Sequence, residues 1–416
     1  MLLVLRVSVI GFSTTDSAHR AGNRTGRRSG ALAAVRSAVL SGVAIGVLAG
    51  LLGGGLEPAR AQEVDSDPCE RGRRLFVARE FAAAREALQQ CLETSGENPE
   101  ALVPLLVMSV NEERFDAAVK FGRRAVAADP ANADARYWYG RALLRSGQKE
   151  TARDQWEEGL QLALDHKGIL EGLARLSVVE GETAKGYNLL MQLRQQGVED
   201  GWLHRLLSEI SAGKGLWEQS LSHLDDAMAR EGASVDDLLM ASQLAILCEE
   251  TGKGVDYGRR AVALEATART HGALGEAFFA QQRVDSALVY LRRAVKEEPD
   301  NPGYHFNLAN TLEISGDPEQ AETHFQTYLK LRPDDPVGHF NYGIHLDKLG
   351  RGGEALHHIN EAIRLDPQML SARVVLAQMH ESQGDWQRAQ EIVSELIELD
   401  LATNRESWSD EMYRIF

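Results

Sequence analysis

From His271 to Leu399 the apolar and small positions return every 34 residues. Leu274, Leu308, Tyr342 and Leu376 form one apolar row, and Leu291, Phe325, Ile359 and Val393 another. Small residues keep the same beat at Gly275, Ala309, Gly343 and Ala377, and again at Ala287, Ala321, Ala355 and Ala389. Within the period 336–367, Phe340, Tyr342, Gly343 and Leu346 lie at helical intervals. The pattern breaks at Leu349-Gly350-Arg351. It resumes with Ala355, Leu356, Ile359, Ala362 and Ile363, and stops at Asp366-Pro367. This spacing predicts a helix, a short turn and a second helix. Gly343 and Ala355 would face each other near the turn, so the two backbones can approach closely, with Ile359 packing beside Gly343. Gly316, Gly350 and Gly384 mark three such turns, and Pro299, Pro333 and Pro367 close three periods.

The phase extends back to Asp65. The small position of the second helix reads Ala84, Ala118, Ala152, Gly186, Ser220, Gly254, Ala287, Ala321, Ala355 and Ala389, with every step 34 except one of 33 before Ala287. The missing residue is expected in the turn around Glu265-Ala266-Thr267. The small position of the first helix reads Gly72, Leu106, Gly140, Ala174, Ser208, Ser242, Gly275, Ala309, Gly343 and Ala377, and only Leu106 is large. Ten helix pairs therefore span 65–400 with no separate domain between them. A fixed period of this length is the mark of a stacked repeat protein. The weakest pattern lies between His166 and Ala266, where the closing Pro is absent and Gly258 stands for a large residue. Lost core volume predicts looseness there. Segment 401–416 follows, and Trp408, Met412, Tyr413 and Phe416 fall at helical spacing, as a cap over the last open face would require.

Several of these positions recur together, and their combination resembles the tetratricopeptide repeat family: Tyr342-Gly343 in the first helix, then Ala355, Ile359, Ala362 and Pro367. The resemblance covers most of the chain. It implies an all-α fold, an α-solenoid of about ten helix-turn-helix repeats wound into a right-handed superhelix. It also implies a non-catalytic scaffold that binds proteins or peptides in a concave groove.

Residues 1–61 differ from the rest. Arg20, Arg24, Arg27, Arg28 and Arg36 precede an apolar run from Ala38 to Leu56, and Pro58-Ala59-Arg60-Ala61 follows. Two readings are open. One is an export signal cleaved after Ala61, which fits the small-x-small rule and makes the protein periplasmic or secreted in a bacterium. The other is an uncleaved inner-membrane anchor, since the run is about long enough to span a bilayer. Formal charge sharpens the contrast. The first 61 residues carry seven Arg against two acids, a local +5, which leaves −21 of the total −16 on residues 62–416. An acidic body of that size repels nucleic acid and anionic membrane surfaces.

Three cysteines are present. Across an antiparallel hairpin, residues whose repeat positions sum to a constant lie side by side, as Gly72 and Leu88 should. Cys69 and Cys91 have the same sum and should face one another. In an exported protein they would form a disulfide, and otherwise two thiols in the core. Cys248 is expected to be buried and inert.

No catalytic constellation emerges: there is no P-loop, no Gly-rich dinucleotide turn, no His-Glu-x-x-His and no Cys-x-x-Cys. No cofactor is expected. His305 and His339 share one repeat position, while His345, His357, His358 and His380 fall on other faces, so convergent metal ligands are not expected either. The remaining face of the first helices is the candidate groove, lined by Phe306, Asn307, Asn310, Glu313, Phe340, Asn341, Asp347 and Glu381. A side-chain amide both donates to and accepts from a peptide backbone. Helices about 10 Å apart, against about 3.3 Å per extended residue, let one Asn per repeat grip every third residue. This is similar to the asparagine ladder of peptide-binding members of the family. The adjacent carboxylates favour a basic or amine-bearing peptide. Alternatives are a membrane-tethered assembly factor for an envelope complex, and an enzyme with a site built across the groove.

Overall fold

The computed structural model describes residues 67–403, with side chains through Glu398. The basic and apolar segment 1–61, and the terminal segment with Trp408, Met412, Tyr413 and Phe416, lie outside the described residues. The described chain is an all-α solenoid of tetratricopeptide-type hairpins, twenty helices in ten consecutive pairs. It divides into two compact units on either side of the Gly232–Ala233 bond. The first unit contains α1 (Pro68–Val77), α2 (Phe81–Ser95), α3 (Pro99–Asn111), α4 (Phe115–Ala128), α5 (Ala133–Arg145), α6 (Lys149–Leu162), α7 (Lys167–Val179), α8 (Thr183–Gln195), α9 (Gly201–Gly213) and α10 (Trp217–Glu231). The second contains α11 (Val235–Leu247), α12 (Thr251–Leu264), α13 (Ala268–Ala280), α14 (Val284–Glu297), α15 (Pro302–Ser315), α16 (Pro318–Leu331), α17 (Pro336–Lys348), α18 (Gly352–Leu365), α19 (Leu370–Ser382) and α20 (Trp386–Thr403).

Local chemistry starts and stops these helices. Asp67, Asn98, Asn301, Asp317 and Asp335 cap N-termini with their side chains, and each is followed by a Pro whose missing N–H costs nothing in a first turn. The turn inside every hairpin carries one residue with positive φ. These are Arg79, Glu113, Gly147, Gly181, Gly215, Glu249, Gln282, Gly316, Gly350 and Gly384, and they keep the 34-residue beat with one step of 33. At Gly350 the closure is a Schellman motif. The N–H of Arg351 donates to the Leu346 carbonyl and that of Gly350 to the Asp347 carbonyl, both at 2.9 Å. The missing residue sits where the pattern put it: only 265–267 separates α12 from α13, against 298–301 and 332–335 at the next two links.

Small residues set the spacing within the pairs, with Leu106 of α3 the exception. A Cβ on Gly343 would lie 2.8 Å from Ile359 Cδ1 and 3.3 Å from the Ala355 carbonyl oxygen. The same contact joins Gly72 to Leu88, Gly140 to Trp156 and Gly275 to Leu291. Trp156 is fully buried over Gly140, and its indole N–H donates to the Tyr137 carbonyl at 3.0 Å. Where Ser replaces Gly, the hydroxyl is satisfied locally, Ser242 donating to the Gly254 carbonyl at 2.8 Å. In the second unit the buried side chains form one continuous core from Val255 to Leu396.

Gly258, in the weakly patterned stretch, leaves no gap. Leu274 of α13 lies against it, its Cα 3.2 Å from where a Cβ would stand, so the missing side chain is taken up as closer helix approach. Cys69 and Cys91 are joined in a disulfide between α1 and α2. Cys248, expected to be buried, is half-buried, because it falls at the C-cap of α11, past the packed stripe.

Two stability predictions follow from the turns and the crosslink. A side chain in the left-handed region costs roughly 1 kcal/mol relative to Gly. Glu113 and Gln282 are exposed, so Gln282→Gly should raise the urea midpoint by an amount equivalent to roughly 0.5–1 kcal/mol. Gly350→Ala should lower it by a similar amount, and an unchanged or lower midpoint for Gln282→Gly would contradict the turn assignment. The disulfide closes a sequence separation of 22 residues, a restraint worth about 3 kcal/mol. Replacing both cysteines by Ser should speed amide exchange in α1 and α2 by roughly 100-fold while leaving α13–α18 unchanged. Unaltered exchange in α1 would show that the bridge adds nothing there.

Candidate functional site

The first helices of the second unit adjoin one another, and side chains at their interface tie one repeat to the next. The Asn307 amide on α15 donates to Glu276 on α13. On α17, His345 hydrogen-bonds Glu313 of α15, and Lys348 reaches the same carboxylate at 2.9 Å. His345 is buried. Burial works against the charged form of Glu313, but the bonds from His345 and Lys348 outweigh it and hold the carboxyl below its ordinary range. Glu276 is the reverse case. Burial dominates, the Asn307 bond only partly offsets it, and its pKa is pushed up to about 7.

The residues named from sequence for this face divide in two. Phe306 and Phe340 are 3% and 2% exposed, within the apolar interior and not on a surface, and the ring of Phe306 lies 5.1 Å from that of Tyr328. Asn310 and Asn341 are also buried, and their amides donate to the carbonyls one turn back in their own helices, Phe306 at 3.0 Å and Val337 at 2.8 Å. Asn307, half-buried, crosses to the neighbouring repeat instead, so the two asparagines at equivalent positions make different contacts. Glu313 and Glu381 are partly exposed and Asp347 is exposed, one carboxylate per repeat at 34-residue spacing. These three, with Asn307, are the members of the set that reach the surface; Glu313 is also held by His345 and Lys348, and Asn307 by Glu276.

A second periodic feature lies beyond the sequence reading, which relates His305 to His339 by repeat position but places His358 on another face and does not pair histidines across a hairpin. His305 pairs with His324, and His339 with His358, each 19 residues apart with the two Nδ1 atoms at 2.9 Å. His305 Nε2 is 2.8 Å from the Pro299 carbonyl and His339 Nε2 3.0 Å from the Pro333 carbonyl. Each of these nitrogens must carry the proton, since a carbonyl only accepts. One proton then bridges the two Nδ1 atoms of each pair. Burial, followed by the partner imidazole, pushes His324 and His358 down to about 4, so both are neutral at physiological pH. The recurring separation of 19 was the signal available in the sequence. It also relates His204 to His223, which the structure brings together with Asp226.

The sequence pattern of the tetratricopeptide repeat matches residues 69–133, 273–336 and 342–400, and a second pattern of the same name matches 110–161. The chain belongs to the tetratricopeptide repeat family. No curated protein matches it. Among solved structures it is similar to that of MamA protein, at 15% identity over 40% of this chain and 92% of that one, with a TM-score of 0.35. It is also similar to a tetratricopeptide repeat protein from Parabacteroides merdae ATCC 43184, at 15% identity over 57% and 94%, with a TM-score of 0.42. As a member of this family the chain is a protein-interaction scaffold. Among the described residues no helix is long and apolar enough to cross a membrane.

The raised Glu276 carboxyl gives a pH test. A folded-state value above the unfolded one means that the folded chain holds its proton longer, so stability falls as pH rises from about 4.5 through about 7. Glu276→Gln should leave stability nearly unchanged at pH 4.5 and raise it by on the order of 2 kcal/mol at pH 8. Equal effects at the two pH values would remove this assignment.

Proposed function

We propose that this scaffold works in the bacterial cell envelope and holds a basic, extended segment of a partner protein along the first-helix face of α13, α15, α17 and α19. The observation that carries this reading is the row Glu313, Asp347 and Glu381, one carboxylate at the same place in each successive repeat. Adjacent helices lie about 10 Å apart and an extended chain advances about 3.3 Å per residue, so a Lys or Arg at every third position meets one carboxylate after another. Asn307 supplies an amide beside the row, and Phe306 and Phe340 support the face from within. The acidic balance of residues 62–416 adds long-range attraction for such a ligand.

The Cys69–Cys91 disulfide supports an oxidising compartment, as does the Arg-rich and apolar segment ending in Ala59-Arg60-Ala61. The apolar run 38–56 also favours a second reading, a membrane-tethered assembly factor. N-terminal sequencing of the native protein separates the two, a start at Gln62 supporting the exported form.

The ligand class can be tested with labelled extended peptides of matched length, one carrying Lys at every third residue and one carrying Glu. The Lys peptide should bind the purified chain and the Glu peptide should not, with affinity falling as salt rises. Asp347→Asn with Glu381→Gln should weaken the Lys peptide by roughly 10-fold with thermal unfolding unchanged. Undiminished binding by that variant, or a preference for the Glu peptide, would defeat the proposal.

A further inference from the structure

The hairpin of α9 and α10 holds a cluster that peptide binding does not use. His204 on α9 is 1% exposed, and its buried Nδ1 has no hydrogen-bond partner among the described residues. Leaving such a nitrogen unbonded is costly unless something occupies it. His223 on α10 presents a second buried Nδ1 without a partner. The Asp226 carboxylate, one turn further along α10, stands 3.6 Å from His204 Nδ1, beyond hydrogen-bond length. One donor atom from each of the three lies within 4.8 Å of the other two.

We infer that His204, His223 and Asp226 form a site for a divalent transition-metal ion of the zinc class. The donor set is two imidazoles and a carboxylate, which suits zinc and its neighbours and not calcium or magnesium. Ligand atoms around a tetrahedral zinc lie about 3.3 Å apart. His204 and Asp226 are close to that already. The Asp226 side chain is 50% exposed and can complete the approach by rotation. The outer contact that orients a metal-bound imidazole is in place: Nε2–H of His204 donates to Glu199 at 3.1 Å, which leaves Nδ1 as the lone-pair nitrogen.

The other two histidine pairs show what this one lacks. In His305–His324 and His339–His358 the Nδ1 atoms bond each other at 2.9 Å and no lone pair is left between them. At the place of Asp226 those hairpins carry Thr327 and Glu361. The Thr327 hydroxyl donates to the Thr323 carbonyl, and both Glu361 oxygens are held by Arg364. Only the α9–α10 pair combines open nitrogens with an adjacent carboxylate among these three. Its competitor is Arg230, whose guanidinium lies 3.6 Å from Asp226 and 3.4 Å from Glu199, while Arg194 pairs with Glu199 at 3.0 Å. Three protein donors leave the fourth zinc position to water or to a donor from a bound partner.

The test is calorimetric titration of the full chain, stripped of metal by chelator, with zinc chloride, repeated with cobalt chloride for the visible spectrum of a tetrahedral ion. Wild type should bind zinc at this site and melt at a higher temperature with it. His223→Gln and Asp226→Asn alter accessible side chains, and each should weaken that binding by about 100-fold or more, with unchanged helix content. Glu199→Gln, which reaches the metal only through His204, should weaken it by about 10- to 100-fold. Arg230→Gln should tighten it, because it removes the competing cation; a purely structural role for the cluster would not produce that gain. Failure of wild type to take up zinc would overturn the site. So would zinc binding of equal stoichiometry and affinity in wild type and His223→Gln, which would place the ion at the other histidine pairs.

Discussion

Everything in this array follows from two helices being able to approach closely near their turn. Ala or an equally small residue at the start of each second helix, set against Gly, Ala or Ser on the first in every pair but the second, where Leu106 stands, brings the backbones together, and one large side chain then fills the space a turn away. The contact is short-ranged and unforgiving: a Cβ on Gly140 would stand 2.3 Å from the Trp156 ring. Once that spacing is set, the relative rotation of the helices is set too. Pairs further from the turn then come into register: Gly72 with Leu88, His305 with His324, Cys69 with Cys91. The disulfide and the histidine pairs are consequences of the small-residue contact, not independent designs.

Ion pairs run alongside this framework without carrying it. Arg85–Glu112, Arg124–Glu97, Arg153–Glu180 and Arg351–Glu322 link successive hairpins, each with substantial exposure. Exposed pairs of this kind contribute at most about 1 kcal/mol and are screened by salt. The continuous apolar core from Val255 to Leu396 buries far more surface and is what couples one repeat to the next. Exposed charges such as Asp347 are therefore free to serve recognition, whereas Glu313 is also held by His345 and Lys348.

The fold was legible because a solenoid repeats its own grammar. A phase of 34 with one step of 33 located the helices, the turns and the shortened link at 265–267, and antiparallel geometry then identified Cys69 and Cys91. The face assignment was less legible. Periodicity separates the packed stripe of a helix from the rest, but a first helix touches its own partner and also the first helices of adjacent repeats. Phe306 and Phe340 were assigned to a groove because they lie off the stripe facing the second helix; they are buried in the array's core. Gly258 is the opposite case: a small residue reads as lost volume in sequence, but Leu274 lies close enough to fill the space. His204 and His223 sit in the least regular part of the sequence, where single residues carry little pattern and only the separation of 19 connects them.

That separation marks a slot present in hairpin after hairpin, and its contents differ. Leu102 with Phe121 and Leu170 with Leu189 fill it with apolar contact. Arg136 donates to Gln155 at 3.0 Å in the same place, His271 lies beside Tyr290, and three hairpins use two histidines. The slot is far enough from the small-residue contact that its chemistry does not disturb the helix spacing, yet buried enough that a polar pair must satisfy itself or find a partner. His305–His324 and His339–His358 satisfy themselves through the carbonyls of Pro299 and Pro333. His204–His223 does not, and two unbonded nitrogens, with Asp226 near His204, are what that difference leaves behind. An array that repeats one backbone solution thus gains chemical variety by changing a single pair of side chains at a fixed address.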